Sequence, residues 1–219
     1  MIYLAGLSYK NFSTLSNRPR DSRISRKKFQ SAEAMRILSL LEGRTIEEND
    51  IVREIQGRPF LIGGEIDFNT ANSGDLVAVS YAKGENLRTG CDIELIRPRT
   101  NADKIAEIFF SDSEKNYLFL HGKFNITRFY EIWTLKECYL KLKGLSVFDM
   151  KNCPSFINND NISASLPVSF RVYELSDGAD NRYIFAAAIE GADHSPEIRW
   201  FSPLTLDCKI RAEIKKCSN

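Results

Sequence analysis

"GCDIELIRPR", running from Gly90 to Arg99, is the stretch whose reading decides this protein. Side chains alternate across a strand, so Asp92 and Glu94 share one face while Cys91, Ile93 and Leu95 share the other. Pro98 ends the run. Two like charges inside an apolar stretch have two explanations. Either the strand is amphipathic with its acids in water, or the acids wait for a cation. This segment alone leaves both open.

Upstream, "LVAVSYA" from Leu76 to Ala82 reads as a buried strand, and the loop "KGENLRTG" predicts that it forms a hairpin with "CDIELI". Before it, turn residues in "GRPFLIGGEIDFNTANSG" separate short apolar runs. Met35, Leu38 and Leu41 lie at helical spacing, which predicts a helix over Phe29–Glu42 stopped by Gly43. A basic run, Arg18 to Lys28, precedes it, and "MIYLAGLSY" reads as a first strand.

Downstream, Thr100 with Asp103 and Ser111 with Glu114 have capping-box spacing and predict two helix starts, the second helix ending at Gly122. "ITRFYEIWTLKECYLKLKG" is the strongest helical signal, ending at Gly144. The tail turns to strands in "VSFRVYEL", "YIFAAAIEG" and "IRWFS". Strand, helix, strands, helices, strands is the order of an α+β protein, not of a wound α/β sheet.

At 219 residues the chain makes one large domain or two small ones. Its net charge of +1 argues against nucleic acid or an anionic membrane as partner. No stretch nears the roughly 20 apolar residues of a membrane span, and "MIYLAGLSYKNF" lacks the basic start of a secretory signal. Five scattered cysteines without a C-x-x-C pair are expected to be thiols of a cytoplasmic protein. His121 and His194 have no ligand spacing around them.

On the long helix, Trp133, Glu137 and Lys141 stand four residues apart and share a face, with Lys136 beside them. Alone, Glu137 and Lys141 also read as a surface ion pair. Together with Asp92 and Glu94 they make three carboxylates next to lysines. That donor set suits Mg²⁺, which prefers oxygen and leaves positions for phosphate; lysines would meet the phosphates as point charges. The constellation points to chemistry on a phosphate ester or anhydride.

"GCDIE", then "FFSDSE", then "WTLKECYLK" with "KGLS" resembles the 4'-phosphopantetheinyl transferases, most closely the larger, single-chain type that activates peptide and polyketide synthetases. A G-x-D-x-E strand and a W-x-x-K-E-x-x-x-K helix are that family's signature. "GRP" at Gly57–Pro59 and "FNTANS" are similar to two further family segments, so the resemblance runs from about Arg18 to about Ile189.

The resemblance implies that Asp92, Glu94 and Glu137 hold Mg²⁺, or Mn²⁺ in its place, at the diphosphate of coenzyme A. The nucleophile is then a serine of an acyl or peptidyl carrier protein. Glu137 is implied as its base, directly or through a water, and Lys141 as the neutraliser of the departing 3',5'-ADP. Lys136 would assist at the phosphates. Gly57, Arg58 and Pro59 would lie against the nucleotide, with the Arg58 fork offered to phosphate. Arg36 would face the nucleotide, Arg23 and Arg26 would hold its 3'-phosphate, and Asn72 and Ser73 would line the same site. Glu114 matches a recurring acid of the family. Tyr117, Leu118 and Leu120 are candidates for carrier recognition, with core packing expected of at least half of them.

Two departures stand out. The family's usual Ser-His is Ala71-Asn72 here, trading a charged donor for a neutral one. The segment after Lys141 is also shorter than usual. Neither touches the three acids. The expectation is a cytoplasmic, monomeric enzyme of two similar halves with pseudo-twofold symmetry, residues 1–90 and 91–219, with the active site in the cleft between them. The alternatives are a different Mg²⁺-dependent phosphoryl or nucleotidyl transferase and a non-catalytic CoA-binding scaffold.

Overall fold

In a computed structural model, residues 3–9, 22–176, 181–192, 197–200 and 207–214 are described. Side chains are described for 28–176, 181–192, 197 and 208–214. The chain runs β1 (Tyr3–Tyr9), α1 (Ser22–Glu42), β2 (Ile51–Arg53), β3 (Pro59–Leu61), β4 (Ile66–Ser73), β5 (Leu76–Lys83) and β6 (Arg88–Leu95). It continues with α2 (Ala102–Phe109), α3 (Asp112–Tyr117), β7 (Phe119–Leu120), β8 (Lys123–Phe124) and α4 (Ile126–Lys143). The last part is all strand: β9 (Ile157–Asn158), β10 (Asn161–Ile162), β11 (Val168–Ser176), β12 (Arg182–Glu190), β13 (Glu197–Trp200) and β14 (Asp207–Ile214).

Two four-stranded sheets organise the chain. The first has the order β13-β1-β5-β4 and carries α1; the second has the order β14-β11-β12-β6 and carries α4 against β6 and β12. Only the β1–β13 pairing among these is parallel. The content is mixed α and β, as expected. The whole of β6, including Gly90, belongs to the second sheet, and β13 returns from the chain's last part to the first.

The expected hairpin between β5 and β6 does not form. Both edges of β5 are already taken, by β1 and β4, so β6 has no ladder to join there. The turn after β5, with Gly84 at φ 143° and Asn86 at φ 58°, sends the chain on to pair with β12. Helix ends follow the sequence more closely. Gly144, left-handed at φ 68°, caps α4, and Gly43 at φ 70° follows α1, which starts seven residues earlier than its apolar spacing predicts. Ser111 and Glu114 make the expected capping box of α3. Thr100 and Asp103 do not, because the cap of α2 is Asn101. Nor does Gly122 end α3, which stops at Tyr117; it lies in the turn joining β7 to β8.

The two sheets meet along β4 and β6. Thr89 N–H donates to Asp67 Oδ2 at 2.6 Å, the Cys91 thiol to the Asn69 carbonyl at 3.6 Å, and Leu95 N–H to Ser73 Oγ at 2.9 Å. Each contact joins residues 22 apart, so the two edge strands run side by side in the same direction. Ala71, Leu76 and Ala78 of one side and Cys91, Ile93 and Phe185 of the other form a shared apolar cluster.

The opposite face of β6 meets α4, and Gly90 sets how closely. A Cβ there would stand 2.7 Å from the Cys138 carbonyl and 2.8 Å from the Leu142 amide. Glycine is required by proximity, since both obstacles are helix backbone. We predict that Gly90→Ala destabilises the fold by about 1–3 kcal/mol, read as a lower urea midpoint; an unchanged midpoint would mean that α4 does not press on β6.

Candidate active site

With Gly90 on the helix side, alternation puts Asp92 and Glu94 there as well. Their acids therefore face α4, not bulk water. Asp92 is buried at 6% exposure. Its Oδ1 accepts from Lys141 Nζ at 2.7 Å, and its Oδ2 is buried without a partner. Glu94 accepts from the Trp133 indole N–H at 3.2 Å on Oε1 and from the Ser73 hydroxyl at 3.2 Å on Oε2. Trp133 is itself fixed by stacking on Phe129, 6.1 Å between centroids, with the Arg99 guanidinium over its ring. The donor capacity of Ser73 is thus committed to Glu94.

Glu137 comes in from α4, whose start is set by Asn125 accepting from the Thr127 and Arg128 amides. No hydrogen bond or ion pair is made by its carboxylate among the described residues. Burial, then the charge of Asp92, pushes it up to about 7, with Lys141 working against the rise and Glu94 with it. Burial and the Asp92 charge likewise raise Glu94. Burial opposes the charge on Lys141, yet the neighbouring acids outweigh it and hold the ammonium above the ordinary lysine range.

The three acids therefore sense one another's charge but do not form a ready-made metal cage. Among the described residues, no three His, Cys, Asp or Glu side chains stand at metal-binding geometry. The Lys141 ammonium, Trp133 and Ser73 engage the oxygens that would converge. What fits a cation is the orphaned Asp92 Oδ2 together with the unpaired Glu137 carboxylate: hard oxygen donors short of positive charge.

Other expected residues are placed differently. Lys136 does not reach the acids: it is 1% exposed and pairs with the fully buried Glu114 at 3.0 Å. One residue of separation on a helix turns the side chain by about 100°, which sends Lys136 into the core and leaves Glu137 and Lys141 at the site. Glu114 also accepts from the Ser111 and Phe156 amides, which gives that acid a structural role. Arg58 is buried as well, and both its terminal nitrogens are committed: to the Asp67 carboxylate, the Thr89 carbonyl and the Lys141 carbonyl. Asp67 and Thr89 were not legible in the sequence, because only the seam between sheets brings them to Arg58.

On the α1 side of β4, a cleft of about 870 Å³ is lined by residues that include Lys28, Met35, Arg53, Pro59, Phe68 and Thr70. Gly57, at φ 88°, lies in the turn leading to Pro59. Asn72 is exposed at the end of β4, on the strand face shared by Phe68 and Thr70, whereas Ala71 is buried at the seam. Arg36 is on α1 with its guanidinium on Glu33, at 2.7 and 3.0 Å. Arg23 and Arg26 belong to the same helix, but their side chains lie outside the described residues. Of the three apolar residues after "FFSDSE", Tyr117 and Leu118 are core, and Leu120 is exposed on the β7–β8 hairpin with Phe119 and Phe124.

A family model for the 4'-phosphopantetheinyl transferase superfamily matches residues 88–195, from the start of β6 past the end of β12. The chain is 33% identical over 141 residues to the 4'-phosphopantetheinyl transferase AcpT of Salmonella typhimurium, covering 58% of this chain and 69% of that protein. It is 35% identical over 109 residues to AcpT of Escherichia coli O157:H7, covering 48% of this chain and 54% of that protein. It is also 35% identical over 106 residues to the 4'-phosphopantetheinyl transferase gsp of Aneurinibacillus migulanus, covering 46% and 41%.

Two stability measurements test this geometry. Glu137 is raised from 4.5 to about 7 in the fold, so between those values the folded state holds a proton that the unfolded state has lost. Its contribution is fully favourable below about pH 4.5 and lost as pH rises through 7. In protein stripped with EDTA, Glu137→Gln should therefore raise stability at pH 8 by an amount on the order of 2–3 kcal/mol and leave it nearly unchanged at pH 4.5. Equal effects at both pH values would count against the charge cluster. Lys136→Met, by contrast, should cost about 3–5 kcal/mol through the unpaired Glu114; a neutral result would mean that the pair is not buried in solution.

Proposed function

The chain belongs to the 4'-phosphopantetheinyl transferase superfamily, and on that premise we propose that it transfers the 4'-phosphopantetheine arm of coenzyme A to a serine of an acyl or peptidyl carrier protein. The single observation that carries this reading is the gathering of Asp92, Glu94 and Glu137 between β6 and α4, with Lys141 on Asp92. A scaffold without chemistry has no use for three acids whose mutual repulsion and burial work against the fold.

Asp92, Glu94 and Glu137 are the residues that would hold Mg²⁺, or Mn²⁺ in its place, which when bound supplies positive charge at the diphosphate. The carrier's serine oxygen forms the new bond to the phosphorus next to the pantetheine arm. The bond from that phosphorus to the bridging oxygen breaks, and its electron pair leaves with 3',5'-ADP. Glu137 accepts the serine proton, directly or through a water. The Lys141 ammonium neutralises charge growing on the leaving phosphate.

The nucleotide is assigned to the cleft beside α1, where Pro59 and the Phe68–Thr70 strand form one wall and Lys28 and Arg53 supply positive charge. Gly57 shapes the turn into that wall, and Asn72 offers a neutral donor at its end. Arg36 of α1 is proposed to face the nucleotide, and Arg23 and Arg26, on the same helix, to hold the 3'-phosphate, as the family resemblance implies. Lys136 acts on the site only by anchoring α4 to Glu114. In this reading the enzyme is a cytoplasmic monomer of two similar halves related by a pseudo-twofold axis, with the site in the cleft between them; the division expected at residue 90 moves to before β6, and β13 crosses back to the first half. Among the described residues, no helix is long and apolar enough to cross a membrane.

The deciding experiment is intact mass of apo carrier proteins after incubation with this protein, coenzyme A and Mg²⁺. The expected outcome is a gain of one phosphopantetheine arm, abolished by EDTA, with Glu137→Ala slower by a factor on the order of 10²–10⁴. CoA binding without any gain on any carrier would favour a scaffold. Absence of CoA binding, with turnover of some other phosphate substrate, would favour a different transferase.

A further inference from the structure

Arg58 comes from the first half of the chain, yet its guanidinium serves the second. The side chain is 3% exposed and held by three acceptors. One is the Asp67 carboxylate, one is the Thr89 carbonyl at 2.9 Å, and one is the main-chain carbonyl of Lys141. Asp67 in turn accepts from the Thr89 amide at 2.6 Å. The charged pair therefore grips Thr89 at both its amide and its carbonyl, one residue before Gly90 and three before Asp92. It also grips the backbone of the residue whose ammonium meets Asp92 at 2.7 Å.

Each grip answers a local need. Lys141 lies in the last turn of α4, where its carbonyl otherwise accepts only a long bond, 3.3 Å, from the Gly144 amide. Thr89 belongs to an edge strand whose free side has no backbone ladder. A planar fork can reach a carboxylate and two carbonyls at once; a lysine ammonium on a flexible stem holds such a set less firmly.

We infer that the Arg58–Asp67 pair is a positioning device: from the first half it sets the register of β6 against α4, and so the contact between Lys141 and Asp92. The inference rests on the working roles proposed above for Lys141 and Asp92. It also changes the role of Arg58, from a ligand of substrate phosphate to a residue that acts through Lys141.

The test is steady-state transfer to an apo carrier by the full chain, with CoA affinity measured by calorimetry and folding checked by circular dichroism at the assay temperature. Arg58→Met and Asp67→Asn should stay folded and lose kcat on the order of 10²-fold, the cost of a displacement near 1 Å. CoA KM and Kd should hold within about twofold, and Arg58→Lys should recover part of the loss. Weaker CoA binding with unchanged kcat would make Arg58 a phosphate ligand and overturn the proposal. So would full kcat in folded Asp67→Asn. If Arg58→Met does not fold, Asp67→Asn, which keeps the side chain's shape, decides by the same split between kcat and KM. Lys141→Met is the control: full activity there would remove the reading on which the clamp rests, whereas slow Lys141→Met beside fast Arg58→Met and Asp67→Asn would sink the clamp alone.

Discussion

Everything at the site depends on the seam where β4 and β6 run side by side without a backbone ladder. Edge strands ordinarily expose unpaired amides and carbonyls. Here side chains take the ladder's place, Asp67 for the Thr89 amide and Ser73 for the Leu95 amide, at a constant offset of 22 residues. Ser73 has a second task, because the hydroxyl that accepts from Leu95 also donates to Glu94. The join between the sheets and the orientation of a site acid are therefore one piece of structure. On the other face of the same strand, the missing Cβ of Gly90 lets the backbone of α4 approach, which brings Glu137 and Lys141 to the acids.

The price of that arrangement is electrostatic. Three acids share a partly desolvated space, and burial does more than any neighbouring charge to raise each of them. Lys141 offsets part of the repulsion, Trp133 and Ser73 steady Glu94, and Glu137 is left without a donor among the described residues. A site tuned this way is short of positive charge before substrate arrives. It is the opposite of the Lys136–Glu114 pair, a few residues away on α4, where a buried acid is matched by an ammonium and two amides.

Several features were readable locally. The Asp92–Glu94 alternation, the length of α4, its glycine stop and the capping box at Ser111 all depend on residues within a turn or two. The hairpin expected between β5 and β6 failed because strand pairing is a competition, and β1 and β4 had already filled the edges of β5. Lys136 and Arg58 were misplaced for a related reason. A basic residue beside a motif looks available to phosphate until its acid partner is found, and neither Glu114 nor Asp67 announces itself at that distance. The apolar trio after "FFSDSE" divides as expected, Tyr117 and Leu118 to the core and Leu120 to the surface.

By itself, the sequence determined the kinship of the chain, the α+β order of its elements, and the acids and lysine on one strand face and one helix face. Those follow from period-two and period-3.6 alternation, which are properties of neighbours in the chain. It took the packing of distant elements to turn Asp92 and Glu94 toward a helix and not water, to bring Lys141 and not Lys136 onto Asp92, and to set Arg58 on backbone. Whether a charge is solvated, paired or strained depends on what packs against its face. In this protein the packing partners lie 9 to 83 residues away.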